Sequence, residues 1–332
     1  MPTATRRAGA VVERRSRTGE SPAETAILAG MHLAFLGFGL IGGSIARAVR
    51  TNPRTAGWAI SAWSPSGDGP RQAVAHGVVD TAVAAPEDAL SGADIVVLAA
   101  PATTCLALID RLAGPWRTLL RETAVVTDVA STKAAIVARA DALELRFVGG
   151  HPMAGLETAG YGVATAGLFV DRPWIVVPGA FARPVDLERV AGLITACSAR
   201  VVPMDAAAHD WAVAAISHLP LVLAAALVEG VAGGAHRAEL RAADPGTATD
   251  DWPLAASLAA GGWRDMTRLA RGDAAMGAAI AATNAPALAA RLRDLRTVLD
   301  EWLEELERPG GPRETVIRDR LAAASAILDA PA

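Results

Sequence analysis

Over the first two thirds of the chain, short apolar runs alternate with stretches of helical periodicity. The runs are Leu33 to Leu36, Trp58 to Trp63, Ile95 to Ala99, Ala124 to Thr127 and Arg146 to Val148. Two more, Trp174 to Val177 and Arg200 to Val202, are closed by Pro178 and Pro203. Strands at this spacing with helices between them predict a parallel sheet. Ligands in such sheets sit at the carboxyl ends of the strands, so the polar residues just after each run are the informative ones. From Asp205 onward the pattern is helical and rich in alanine, a strong helix former. A polar, glycine-containing break from Gly230 to Asp251 interrupts it, and helical segments resume through about Ile327. Leu288 to Glu307 carries apolar residues at helical spacing with Arg and Glu between them, as a packed or dimerising helix does.

The first apolar run leads into Gly37-Phe38-Gly39-Leu40-Ile41-Gly42-Gly43-Ser44, and a helical pattern leads out. Strand, glycine turn and helix in that order predict a phosphate cradle. Gly37 permits a turn that a side chain would block, Gly39 lets backbone approach a pyrophosphate, and Gly42 lets the helix pack on the strand. The helix start offers unpaired N–H groups and positive dipole to phosphate. The predicted fold class is therefore α/β: an N-terminal Rossmann-type parallel sheet domain over 31–204, then an all-helical C-terminal domain over 205–332. Residues 1–30 hold Arg6, Arg7, Arg14, Arg15 and Arg17, but Glu13, Glu20 and Glu24 intervene and no apolar core of a signal peptide is present. They are expected to be a disordered extension.

Composition narrows the function classes. The 332 residues suffice for two domains, and a net charge of −4 gives no basic field for nucleic acid. Cys105 and Cys197 cannot build a disulfide framework, so a reducing, cytoplasmic setting is expected. No uninterrupted apolar run reaches the ~18 residues of a membrane span, and no membrane partner is expected. No cluster with metal-ligand spacing stands out. Lys133 is the only lysine in the chain.

Four further clusters carry chemistry. They are Thr127-Asp128-Val129-Ala130-Ser131-Thr132-Lys133, Gly149-Gly150-His151-Pro152-Met153-Ala154-Gly155-Leu156-Glu157, His209-Asp210 with Ser217-His218-Leu219-Pro220, and Gly261-Gly262-Trp263-Arg264-Asp265-Met266-Thr267-Arg268. Together with the glycine turn, and in this order, they resemble the prephenate/arogenate dehydrogenase family of tyrosine biosynthesis from about residue 31 to 290. The resemblance implies a helical C-terminal domain that forms a homodimer, with the active site between the two domains. It implies removal of a hydride from C4 of a cyclohexadiene ring to NAD(P)+, loss of the ring carboxylate as carbon dioxide, and aromatisation. Prephenate would give 4-hydroxyphenylpyruvate.

The same resemblance assigns roles. His151 is expected to accept the hydroxyl proton, work that suits a neutral imidazole. Ser131 is expected to hydrogen-bond His151 and the C4 hydroxyl, and also suits a helix N-cap. Arg268 is expected to grip a substrate carboxylate with its planar fork. Glu157 would pair near that arginine. Ser217 and His218 are expected to line the substrate pocket, and Lys133 to bind substrate or else to be a solvated helix-start lysine. Gly37, Phe38, Gly39, Leu40, Ile41, Gly42, Ser64, Arg71, Ala100 and Asp128 are expected around the cofactor, Asp128 near the nicotinamide ribose. His209 and Asp210 are read as structural rather than catalytic.

Two departures from the family pattern bear on specificity. Many prephenate-using members have a second histidine after Ser-His-Leu-Pro, where this chain has Leu221; arogenate-preferring members are often apolar there. Arogenate or an amino-substituted analogue is thus the alternative substrate. An acid at the end of the second strand binds the ribose of NAD, yet that position is Ser64. Ser64 and Ser66, with Arg71 nearby, suit a 2′-phosphate, which tilts the choice between NAD and NADP toward NADP, although Asp68 follows closely. A β-hydroxyacid-type dehydrogenase would need a lysine in the helical half, where there is none. A dinucleotide-sensing regulator is the non-enzyme alternative, and His151, Ser131 and Arg268 argue against it.

Overall fold

The structure is a computed structural model that describes residues 30–156, 158–233 and 252–329. The first 29 residues of the expected extension, Glu157, and most of the expected break after Gly230 lie outside the described residues.

Eight strands form one sheet: β1 His32–Leu36, β2 Ala59–Trp63, β3 Thr81–Ala82, β4 Ile95–Leu98, β5 Val125–Asp128, β6 Phe147–Pro152, β7 Pro173–Pro178 and β8 Arg200–Pro203, in the order β3-β2-β1-β4-β5-β6-β7-β8. The helices between them are α1 Leu40–Thr51, α2 Asp68–Ala75, α3 Pro86–Leu90, α4 Ala102–Ala113, α5 Ala134–Ala142 and α6 Pro184–Ala196. Successive side chains of a strand point to opposite faces, so Leu33 and Phe35 of β1 join one buried cluster while Ala34 and Leu36 join the other. Covering both faces is why β1, β4 and β5 read as unbroken apolar runs rather than alternating ones.

Two features depart from the sequence expectation. The sheet is parallel except at β6 and β7, which pair antiparallel with His151 opposite Ile175. That pairing carries β6 four residues beyond Val148, so His151 lies in the strand rather than just after it. The two-residue strand β3 was not expected, because two residues cannot display a period.

After β8 every described element is helical: α7 Ala206–Val213, a π-helical turn Ala214–His218, α8 Leu219–Ala232, α9 Trp252–Ser257, α10 Gly261–Thr267, a 3-10 turn Arg268–Arg271, α11 Ala274–Thr283, α12 Ala285–Leu306 and α13 Glu314–Asp329. Asp205 caps α7 by accepting from Ala207 N at 2.9 Å and Ala208 N at 3.0 Å. The rod Ala206–Ala232 is long and apolar enough by length and composition to cross a membrane, and only 22% of its apolar window is buried. His209, Asp210, Ser217, His218 and Pro220 interrupt it, so it holds no unbroken apolar run of that length.

Candidate active site

The glycine turn has the strand–turn–helix form. Gly37 holds φ at 95°, donates to Trp63 O at 2.9 Å, and lies so close to Ala99 that a Cβ would press into that carbonyl, 2.7 Å from its carbon. Helix α1 starts at Leu40 with Gly39 as its N-cap and no side chain capping it. The leading N–H groups, from Leu40, Ile41 and Gly42, are therefore available to an anion. A Cβ on Gly39 would meet nothing within 4 Å, and one on Gly42 would sit 3.1 Å from Ala99 Cβ. A cleft of about 630 Å³ opens over this turn, lined by Gly37, Phe38, Gly39, Ser64, Ala100 and Tyr161 among others. Its size and backbone-rich floor fit a dinucleotide.

Tyr161, which sequence reasoning missed, begins the 3-10 turn Tyr161–Val163 and stacks on Phe38 with ring centroids 5.5 Å apart. Its standing as the only tyrosine in the chain was the available signal. Arg71 flanks the cleft, ion-paired with Asp68 at 2.7 Å and donating to Ser66 O at 3.1 Å.

Two residues change role. Asp128 and Lys133 form an ion pair whose side chains are both 0% exposed. The remaining reach of Asp128 is taken by N–H donors, Gly150 N to Oδ1 and Ala130 N to Oδ2, both at 3.0 Å. Asp128 therefore cannot face a nicotinamide ribose, and Lys133 is neither a substrate ligand nor a solvated lysine. Together they tie the end of β5 to β6 beneath His151. Removing one partner strands a buried charge. A Lys133→Met variant is expected to lose about 3–5 kcal/mol of stability, read from its denaturant midpoint. A raised KM with unchanged stability would instead return Lys133 to substrate binding.

His151 ends the sheet's carboxyl edge three strands from β1, roughly 14 Å at normal strand spacing. Its Nδ1 lies 2.8 Å from His209 Nε2, and His209 Nδ1 lies 2.8 Å from Asp210 Oδ1. The two residues read as structural are thus bonded in line to the expected proton acceptor. Among the described residues Nε2 of His151 has no hydrogen-bond partner. Burial, together with the nearby Lys133, His209 and His218, holds the His151 pKa well below the ordinary imidazole value, so it is neutral at neutral pH. Nothing local signals this chain of bonds. The one cue was a His-Asp pair standing in an otherwise apolar, alanine-rich helix.

The other expected residues fall as follows. Ser131 is half-buried just after β5 and makes no hydrogen bond to His151. His218 is buried on the π-helical turn; Asn284 donates through Nδ2 to Asp210 O at 2.8 Å and to His218 Nδ1 at 3.1 Å. His218 Nε2 is therefore the protonated nitrogen, and among the described residues it is buried with no partner. Burial, reinforced by His209 and opposed by Asp210, lowers the His218 pKa to about 4. Ser217 is exposed beside it, and Arg268 is exposed at the head of the 3-10 turn Arg268–Arg271. Leu221 lies on the face of α8 toward α11, where its Cδ2 would be 3.5 Å from a Cβ on Gly277.

A glycine-turn cleft at the carboxyl edge of a mostly parallel sheet, with a helical half following it, defines a two-part nucleotide-binding protein of Rossmann type. Residues 45–203 match the family model of the prephenate dehydrogenase nucleotide-binding domain, and residues 205–314 that of the prephenate dehydrogenase dimerization domain. The chain belongs to the prephenate dehydrogenase family. It is 32% identical to the prephenate dehydrogenase of Bacillus subtilis (strain 168) over 281 residues, 82% of this chain and 67% of the relative. The crystal structure of Synechocystis arogenate dehydrogenase superposes with a TM-score of 0.70 at 30% identity, covering 90% of this chain and 99% of that one. The fold is also that of Aquifex aeolicus prephenate dehydrogenase in complex with hydroxyphenyl propionate and NAD+, at a TM-score of 0.76, 24% identity and coverage of 90% and 98%.

Proposed function

We propose that the protein oxidises prephenate to 4-hydroxyphenylpyruvate with NAD(P)+, with arogenate as the alternative substrate. The observation that carries this reading is His151: a neutral imidazole with one nitrogen held by His209 and the other unpartnered, at the sheet edge that carries the dinucleotide cleft. Bound at the cleft, NAD(P)+ supplies a hydride acceptor. The chain's own residues position the ring, accept the hydroxyl proton at His151 Nε2 and hold carboxylates. Arg268 serves as the carboxylate clamp and His218 Nε2–H as a donor to the substrate. Ser131, half-buried just after β5, is assigned to the C4 hydroxyl in this reading. Leu221 is apolar and favours arogenate to the extent that a histidine there would favour prephenate. The test supplies purified protein with prephenate and arogenate separately, each with NAD+ and NADP+, and follows reduced cofactor by absorbance. No turnover of either substrate rejects the reading.

The cofactor preference follows from the loop after β2. Ser64, Ser66 and Asp68 line the cleft there and Arg71 borders it. The two serines and the arginine support NADP+, while Asp68 currently pairs with that arginine. An Arg71→Ala variant is expected to weaken NADP+ binding by roughly tenfold, the worth of one charge-assisted contact, and NAD+ binding much less. Equal losses in Kd for the two cofactors reject the 2′-phosphate assignment.

The helical half forms a homodimer in this reading. Leu258, Met266, Leu299, Leu303 and Leu306 are more than half exposed on it, an apolar surface that a partner copy would cover.

A further inference from the structure

We propose that His209 and Asp210, from the helical half, set the tautomer of His151 so that its Nε2 carries the lone pair that accepts the substrate's hydroxyl proton. The proposal rests on His151 being the proton acceptor and adds what makes it one.

The line of bonds begins at Asp210. Its Oδ1 accepts from His209 Nδ1 at 2.8 Å and from Lys133 N at 2.7 Å, and its Oδ2 accepts from Ala134 N at 2.9 Å. Three N–H donors hold it as a carboxylate, against the burial that opposes charge. A carboxylate only accepts, so His209 Nδ1 carries a proton, and where that is the ring's single proton its Nε2 has a lone pair. His151 Nδ1, 2.8 Å away, must then be the donor of that contact. With its one ring proton on Nδ1, His151 presents an unprotonated Nε2, the nitrogen without a partner among the described residues. Reversing any one bond in the line would put the proton on Nε2 and remove the acceptor.

The line also crosses between the halves of the molecule. His151 is on β6, whereas His209 and Asp210 are on α7, and Asp210 accepts the first N–H groups of α5. One carboxylate therefore docks the helical half on the sheet half and begins the tautomer chain. The groups facing His151 besides these are Lys133, whose charge is matched by Asp128, and His218, whose ring proton is assigned by Asn284.

In the reaction the hydride leaves C4 for the nicotinamide as the hydroxyl O–H breaks and Nε2–H forms. The C1–carboxylate bond then breaks, its electron pair enters the ring and carbon dioxide departs. The phenolate oxygen takes the proton back from Nε2. While His151 is cationic, its Nδ1–H already points along the line toward the Asp210 carboxylate, which stabilises that charge without moving.

Selective 15N-histidine NMR on the full chain, above pH ~7.5 so that imidazoles are neutral, reads the tautomers directly. His151 is expected protonated at Nδ1 only, with signals assigned from the His151→Asn and His209→Gln spectra. A proton on His151 Nε2 overturns the proposal, and this readout does not depend on turnover. In Asp210→Asn an amide NH2 turned toward His209 donates to it and reverses the line, at the cost of the bond from Lys133 N. It is expected to lower kcat by about 10²–10⁴-fold with KM for both substrates close to wild type, and, because one docking bond is lost, to lower the melting temperature as well. His209→Gln keeps an oxygen acceptor for Nδ1–H and should stay within about tenfold of wild type, whereas His209→Leu should fall as far as Asp210→Asn. Wild-type kcat in both Asp210→Asn and His209→Leu overturns the proposal. So does a loss that tracks melting temperature while the His151 tautomer is unchanged, for that is the signature of a docking role alone. If Asp210→Asn does not fold, the His209 pair and the wild-type spectrum decide. A wild-type protein inactive on prephenate and arogenate with either cofactor would remove the proposed function and leave the spectrum to judge the tautomer.

Discussion

A His151→Asn variant is expected to retain its fold and its cofactor affinity and to lose about 10²–10⁴-fold in kcat, the usual worth of a positioned general base. Asparagine keeps a polar group near Nδ1, where it can still meet His209 Nε2, but it has nothing at Nε2. The measurement is steady-state turnover beside cofactor Kd. Full turnover in the variant would dismiss the proton-acceptor assignment. The wild-type pH profile adds a sign. Burial and neighbouring Lys133, His209 and His218 favour the uncharged ring, so the His151 pKa lies well below its ordinary value of 6.5. The base is then lost only as pH falls through that lowered pKa. The acid limb of kcat/KM is expected below pH ~6.5, with activity flat across neutrality. A limb centred at or above the ordinary value would mean that the free enzyme's essential base is another group.

Substituting Gly37 is expected to have the second large effect. Its φ of 95° is costly for a residue with a side chain, and a Cβ would be driven into the Ala99 carbonyl at the end of β4. Gly37→Ala must shift β1 or β4 where they support the cleft, so Kd for the dinucleotide should rise at least about 100-fold, with a lowered melting temperature. Gly39→Ala is the informative partner. Apart from its own chain neighbours, no atom of the described residues lies within 4 Å of that Cβ, so the variant should fold with nearly wild-type stability. Its methyl group would instead stand where backbone must approach pyrophosphate, and binding alone should weaken. Equal stability losses in the two variants would reject this division of labour.

The two halves of the molecule were unequally legible. Apart from β3, the strands were readable, the central ones because residues buried on both faces leave unbroken apolar runs, and the glycine turn because its conformation demands glycine. Where pairing rather than composition extends a strand, as β7 extends β6 through His151, no run of residues announces it. Ser131, His151 and Arg268 could be nominated from motifs, but their surroundings could not. Lys133 stood out as the only lysine in the chain, and its rarity said nothing about direction. Only the closed fold turned it inward onto Asp128.

By itself, the sequence determined the alternation of sheet and helix, the glycine turn and which residues are candidates for chemistry. These depend on local periodicity and on conformations that few residue types accept. The tertiary structure alone decided which groups those residues meet. His151 is bonded to a histidine 58 positions away, and the backbone N–H of Lys133 to a carboxylate 77 positions away. Such bonds repeat with no period and satisfy no local rule. They exist because burial leaves each donor no water to turn to, so the packing of α7 against the sheet edge had to supply the acceptor. The partners of His151 were decided there.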